Sequence, residues 1–229
     1  MEQPITREVT IRIILFGQGP LCEAVQAALT SHDVVGPFRT PQPTELLTEL
    51  QASVGLSCGY RHKLTPKEWA CFPNGILNLH TSFLPWNRGA YPNVWPILDG
   101  SPAVVTLHRV DEGWDTGPII AQKQVQVHPT DTAKTLYDKL IRAGVALVEM
   151  EVRRADSYGW GDGFPQIGKG SFHRKAELNE ACSRLPFLPS GLAFQYLRAF
   201  SFPGYGLEYV ENGIRIRATI TLQEVTDAS

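Results

Sequence analysis

The succession of apolar and polar positions divides the chain into short strands and helices. Ile11 to Phe16 (IRIILF) is an apolar run of buried-strand type, followed by Gly17-Gln18-Gly19-Pro20 and then Leu21, Val25, Ala28 and Leu29 at helical spacing. Pro20 suits a first helical turn, where its missing N–H costs nothing. Val34-Val35 reads as a short second strand, Glu45 to Leu50 as a short helix behind Thr44, and Val54 to Ser57 as a third strand. Thr65-Pro66-Lys67-Glu68 has the form of a capping box, in which hydroxyl and carboxylate satisfy orphan backbone donors at a helix start. Ile76, Leu77 and Leu79 mark another strand, and Tyr91-Pro92 opens a short helix carrying Val94, Trp95 and Leu98. Val104 to Val110 and Ile119 to Val127 alternate as two strands, for which antiparallel pairing is the economical arrangement. Asp131 opens the longest helix, with Leu136, Leu140, Ala143, Leu147 and Met150 on one face.

Strand, helix, strand, helix, strand in that order predicts the α/β class, an open doubly wound Rossmann-like sheet with ligands beyond the carboxyl ends of its strands. Past Ala155 the texture changes. Five glycines between Gly159 and Gly170 mark a boundary loop, Ser190 is placed to cap a helix running through Phe200, and Asn212-Gly213 between Leu207 to Val210 and Ile214 to Ile220 signals a type I′ hairpin. The predicted organisation is a main domain over residues 1–156 and a small C-terminal α+β appendage over 157–229 ending in a β-hairpin.

Composition narrows the class without changing the fold. A chain of 229 residues with 43% hydrophobic content can bury one sizeable core, and no apolar run approaches the roughly 18 residues a membrane span needs. Met1 to Val9 is polar with both charge signs, a loose leader rather than a signal peptide. The net charge of -2, with no dense Lys/Arg block, argues against nucleic-acid binding, although a single Arg can still hold a diphosphate. Cys22, Cys58, Cys71 and Cys182 show neither metal-ligand nor disulfide-framework spacing, so they read as free thiols in a reducing compartment, the cytoplasm, and no metal is expected. Gly17-x-Gly19 lacks the third glycine and the acidic residue of a dinucleotide site, and reads as a tight turn.

The chemistry concentrates in Gly75 to Gly89 (GILNLHTSFLPWNRG). Because strand side chains alternate, Asn78 and His80 project to the same side of the strand, at its end and next to an irregular loop. The run N-x-H-x-S-x-L-P-x-x-R-G, carried by Asn78, His80, Ser82, Leu84, Pro85, Arg88 and Gly89, resembles that of the 10-formyltetrahydrofolate-dependent formyltransferases. Thr106, His108, Asp115, Thr116 and Gly117 match the second motif of that family. The resemblance implies a catalytic trio of Asn78, His80 and Asp115, while the mid-strand position of His108 reads as structural. It implies a folate-binding rim formed by Tyr60, Arg61, His62, Lys63 and Leu64 together with Val110, Asp111, Glu112 and Gly113, with 10-formyltetrahydrofolate as cosubstrate.

The wording from Leu84 to Trp95 is most similar to the sugar N-formyltransferases. That resemblance implies acceptor contacts from Ser82, Trp86, Asn87, Arg88, Gly89, Tyr91 and Asn93, and from Arg198, Phe200 and Tyr205 in the tail, where aromatic rings would clamp a nucleobase and Arg198 or Arg174 a diphosphate. The implied acceptor is the amino group of a nucleotide-linked, dTDP-type 4-amino or 3-amino deoxysugar of lipopolysaccharide O-antigen biosynthesis, with another small amine such as glycinamide ribonucleotide, or mere binding of folate and sugar nucleotide, as alternatives. The hairpin and exposed strands point to a homodimer. Val104 stands where the family usually has glycine, and the stretch between the first helix and Val54 is shorter than usual.

Overall fold

The computed structural model describes residues 11–183, 189–203 and 206–224. Its centre is a six-stranded sheet of order β2-β1-β3-β4-β6-β7, made from β1 (Arg12–Gly17), β2 (Asp33–Phe38), β3 (Val54–Cys58), β4 (Ile76–His80), β6 (Ala103–Arg109) and β7 (Ile119–Val125). The first four run parallel, while β6 is antiparallel to β4 and β7 antiparallel to β6, the pairing that the alternation predicts.

Period-two alternation in β1 sorts its side chains between two cores. Ile13 and Leu15 join a large core with α1 (Pro20–Ala28) and α5 (Ala133–Tyr158), and Ile14 and Phe16 join a smaller one with Leu47 of α2 (Thr44–Glu49), Leu64, Phe72 and Ile76. Helices therefore cover both faces, as a doubly wound sheet requires. The capping box forms as expected at α3 (Pro66–Trp69), with Thr65 and Glu68 bonding reciprocally. The four cysteines are free thiols.

Several boundaries differ from expectation for local reasons. The helix expected from Tyr91 starts later, as α4 (Trp95–Asp99), because Tyr91 sits at φ 54, outside helical space. Along α5, Leu136, Leu140, Ala143 and Leu147 are buried but Met150 is 54% exposed. The buried face is centred nearer Gly144, Val148 and Glu151, which leaves Met150 over its edge. Ser190 is the first residue of α7 (Ser190–Ala199) rather than its cap; Pro189 holds that position and makes no side-chain cap bond.

The C-terminal stretch is bound into the same body. A two-residue strand β8 (Phe172–His173) pairs in parallel with β5 (Arg88–Gly89), followed by α6 (Lys175–Ser183). Leu178, Ala181, Ala199 and Phe200 are buried in the large core, and α5 continues past residue 156 to Tyr158. The hairpin of β9 (Leu207–Glu211) and β10 (Ile214–Ala218) turns through Asn212 at φ 50 and Gly213 at φ 78, the two positive angles of a type I′ turn.

Candidate active site

Strand β4 ends at the carboxyl edge of the parallel strands, and it delivers Asn78 and His80 to one side of the sheet. The antiparallel register of β6 sets His108 opposite Asn78 and Thr106 opposite His80. The loop between β6 and β7 then brings Asp115 over the same point, with Asp115 itself in the left-handed region at φ 55. That loop is braced from several sides. Thr116 Oγ1 donates to Asp111 Oδ1 at 2.6 Å, and Gln166 Nε2 donates to the carbonyls of Asp115 and Gly117 at 2.8 and 2.9 Å. At Gly117 a Cβ would lie 1.9 Å from the Arg109 carbonyl oxygen, so the turn has room for glycine alone.

The three implied catalytic side chains converge. Asn78 Nδ2 donates to Asp115 Oδ1 at 3.2 Å, and the same carboxylate oxygen stands 3.7 Å from His80 Nδ1 and 3.7 Å from His108 Nε2. Asp115 Oδ2 accepts from Gly89 N at 2.9 Å. Carbonyl partners fix both imidazoles, since a carbonyl only accepts. His80 Nε2 faces the Asn87 carbonyl at 3.1 Å and carries the hydrogen, leaving Nδ1 as the basic nitrogen beside Asp115. His108 Nδ1 donates to the Arg109 carbonyl at 2.8 Å, so its Nε2 accepts from Asn78 Nδ2 at 3.1 Å. Both N–H groups of the Asn78 amide are thus engaged, one by His108 and one by Asp115.

Electrostatics keep the carboxylate charged. Burial of Asp115 opposes ionisation, but attraction to the His80 and His108 imidazoles in their protonated forms and the Gly89 N–H outweigh it and hold its carboxyl well below the usual carboxylate range. His80 is 8% exposed and His108 2% exposed, so these side chains meet Asp115 with little water between them.

Two cavities meet at this cluster. The smaller, about 70 Å³, is lined by Tyr60, His62, Lys63, Leu64, Val110, Asp111 and Gly113 of the expected folate rim, together with Ser57 and His108. Arg61 instead lines the larger cleft of about 1170 Å³, and Glu112 is exposed in neither lining. Tyr60, Asn78, Trp114 and Asp115 border both cavities.

Of the expected acceptor residues, Gly89, Tyr91 and Asn93 line the larger cleft. Ser82, Trp86, Asn87 and Arg88 do not, for traceable reasons. Ser82 is wholly buried and donates to the Trp86 carbonyl at 2.9 Å, Asn87 is 1% exposed, Arg88 bonds the carbonyls of Lys169 and Ser171, and Trp86 lies on the outer surface. Phe200, at 1% exposure, is sealed in the large core and offers no face to a base. Arg198 gives its Nε and Nη2 to the carbonyls of Asp131 and His128, at 2.7 and 3.0 Å, and so staples α7 to the start of α5. Tyr205 lies outside the described residues. The cleft's cations are Arg39, Arg61, Lys134, Arg174 and Lys175, of which the motifs had pointed to Arg61 and Arg174.

Residues 37–150 match the model of the family described as Formyl transferase. Over 80% of this chain and 94% of the other, the fold superposes on the formyltransferase PseJ from Anoxybacillus kamchatkensis, at 30% identity and a TM-score of 0.64. That structure was solved in complex with UDP-4,6-dideoxy-4-formamido-L-AltNAc and tetrahydrofolate. The chain belongs to the formyl transferase family.

A 4-N formyltransferase from Francisella tularensis shares the fold of this formyl transferase at 19% identity, with a TM-score of 0.79 over 94% of this chain and 99% of that one. A methionyl-tRNA formyltransferase from Thermodesulfovibrio yellowstonii is 43% identical over 88 residues, 38% of this chain and 29% of that protein. This chain spans under half the length of the curated relatives it matches. Among the described residues of the formyl transferase, no group of three or more His, Cys, Asp or Glu is placed to hold a metal ion, and no helix is long and apolar enough to cross a membrane. Sequence reading left His108 outside the site because it sits in mid-strand. The signal that finds it is register, since an antiparallel partner to Asn78 must place a side chain at this point.

Proposed function

We propose that this formyl transferase moves a formyl group from 10-formyltetrahydrofolate to the amino group of a nucleotide-linked deoxysugar. The observation that carries the reading is the position of the trio: Asn78 and Asp115 stand on the wall common to two cavities, so a donor in one and an acceptor in the other would meet across His80. The smaller cavity suits the folate, with Ser57, His62 and Asp111 supplying polar groups beside Leu64 and Val110. The larger cleft, with Arg39, Arg61, Lys134, Arg174 and Lys175 in its lining, suits a diphosphate carrying a sugar. A dTDP-linked 4-amino or 3-amino deoxysugar is the acceptor this reading puts first, with 10-formyltetrahydrofolate supplying an activated formyl carbon. Cytoplasmic action as a homodimer, on a route to O-antigen sugars, goes with it.

Each residue then has one task. As the amine attacks, His80 Nδ1 takes its proton, the imidazolium so formed lies against the Asp115 carboxylate, and it gives that proton to the folate N10 as the bond between N10 and the formyl carbon breaks. Asn78 serves the developing oxyanion by redirecting one of the N–H groups it now gives to Asp115 and His108. His108 keeps that amide oriented, through the hydrogen its Nδ1 gives to Arg109.

The experiment mixes protein, 10-formyltetrahydrofolate and a panel of dTDP-, UDP- and GDP-linked amino sugars, with glycinamide ribonucleotide and methionyl-tRNA as further arms, and weighs the products. A product heavier by one formyl group in a sugar arm supports the reading. Formylation of one of the other two amines, or of none, overturns it. In the active arm, His80→Asn should lower kcat by about 10²- to 10⁴-fold with sugar-nucleotide binding by calorimetry retained.

A further inference from the structure

The stretch from Ser171 to Glu177 reaches two places at once. Arg88 N donates to the Ser171 carbonyl at 3.1 Å and Ala90 N to the His173 carbonyl at 2.9 Å, while Phe172, His173, Arg174 and Lys175 line the larger cleft. His173 is the link between them. Its ring lies flat on Trp95, with centroids 3.7 Å apart and 13° between the planes. Nδ1 stands 2.9 Å from Glu177 Oε2, and Nε2 stands 3.1 Å from Asn87 Oδ1.

The bonds of Asn87 fix the hydrogens on that ring. Asn87 Nδ2 donates to Ser101 Oγ at 2.8 Å and Asn87 N donates to Ser171 Oγ at 2.8 Å, while the Ser171 hydroxyl donates back to Asn87 Oδ1 at 3.1 Å. Turning the amide over would point N–H groups at the Ser171 hydroxyl from two sides and take away the oxygen its hydrogen goes to. Oδ1 therefore faces His173, and Nε2 meets an acceptor. Nδ1 meets a carboxylate, which is also an acceptor. Both ring nitrogens must carry hydrogen, and a cationic imidazole suits both its carboxylate partner and the indole face beneath it.

The contacts continue into the chemistry. Asn87 is 1% exposed and held at φ 56, and its carbonyl accepts the Nε2 hydrogen of His80 at 3.1 Å. We propose that His173 is a positioning residue: as an imidazolium clamped between Glu177 and Asn87, it fixes the carbonyl that orients His80. It touches no reacting atom. The consequence for turnover rests on the formyl-transfer reading of His80, whereas the clamp itself does not.

Two measurements on the whole protein separate the clamp from the activity. Proton–nitrogen correlation spectra of the imidazoles at neutral pH should show both His173 nitrogens bearing hydrogen, and His173→Gln should shift the His80 Nε2 resonance. A neutral His173 with one bare nitrogen, or a His80 signal indifferent to the substitution, overturns the proposal even if no acceptor is turned over. With an acceptor in hand, His173→Gln should lower kcat about 10- to 100-fold while the KM for the formyl donor stays within about twofold. An unchanged kcat, or a loss confined to that KM, overturns it. Should His173→Gln not fold, Glu177→Gln serves in its place. Removing the carboxylate should take one hydrogen off the His173 ring, lower kcat and move the same His80 resonance; an unmoved resonance with unmoved kcat overturns the proposal.

Discussion

Asp115 shows how far one side chain depends on its surroundings. Its carboxylate accepts from Asn78 and Gly89 and faces two imidazoles, and burial alone would have driven it toward the neutral acid. Because its folded-state value is depressed, it adds stability that is fully present above the unfolded value of about 4 and is lost as pH falls through the folded value. The stability difference between wild type and Asp115→Asn should therefore be flat from about pH 5 upward and shrink in acid, as read by urea denaturation at a series of pH values. A difference that grew on acidification would contradict the assignment. The sequence named Asn78 and His80 because short spacing and motif wording carry them, and Asp115 through motif wording alone. It could not tell the surroundings of Phe200 and Arg198, because an aromatic ring and a guanidinium read alike whether they face a ligand or, as here, the large core and two carbonyls.

At the scale of elements, the site is a matter of register and turn geometry. Strand β4 supplies two polar side chains by alternation, β6 supplies a third by antiparallel pairing, and the loop after β6 folds back only because its glycine admits the Arg109 carbonyl. Gly117→Ala should cost at least about 2 kcal/mol of stability, and should lower kcat more than it weakens folate binding. Denaturant titration and calorimetry measure the two effects, and wild-type stability in the variant would mean that the turn tolerates a side chain. Strands, capping box and hairpin were legible because their signals are local: alternation, a Thr-x-x-Glu pair, Asn-Gly. The start of α4 and the drift of the buried face of α5 were not, because they depend on the left-handed Tyr91 and on what α5 packs against.

Across the whole molecule, contacts run over the boundary read from texture near residue 156. The glycine-rich segment sends Gln166 to brace the Asp115 loop, β8 pairs with β5 behind the trio, and Phe200 fills the large core. No local pattern could reveal this, since each contact joins residues at least 49 positions apart in the case of Gln166 and 83 or more in the case of Ser171 with Asn87 and Arg88. A fragment ending at Tyr158 should accordingly show no formyl transfer and should expose apolar surface, detectable by dye binding. An active, cooperatively melting fragment would instead support two domains.

The pairing of β8 with β5 also has a consequence in time. A nascent chain emerging from the ribosome displays Asn78, His80 and Asp115 well before the strand that seats Arg88 and Gly89 has been synthesised. Until Phe172 and His173 clear the exit tunnel, the backbone N–H that Asp115 Oδ2 relies on has no partner strand to seat it.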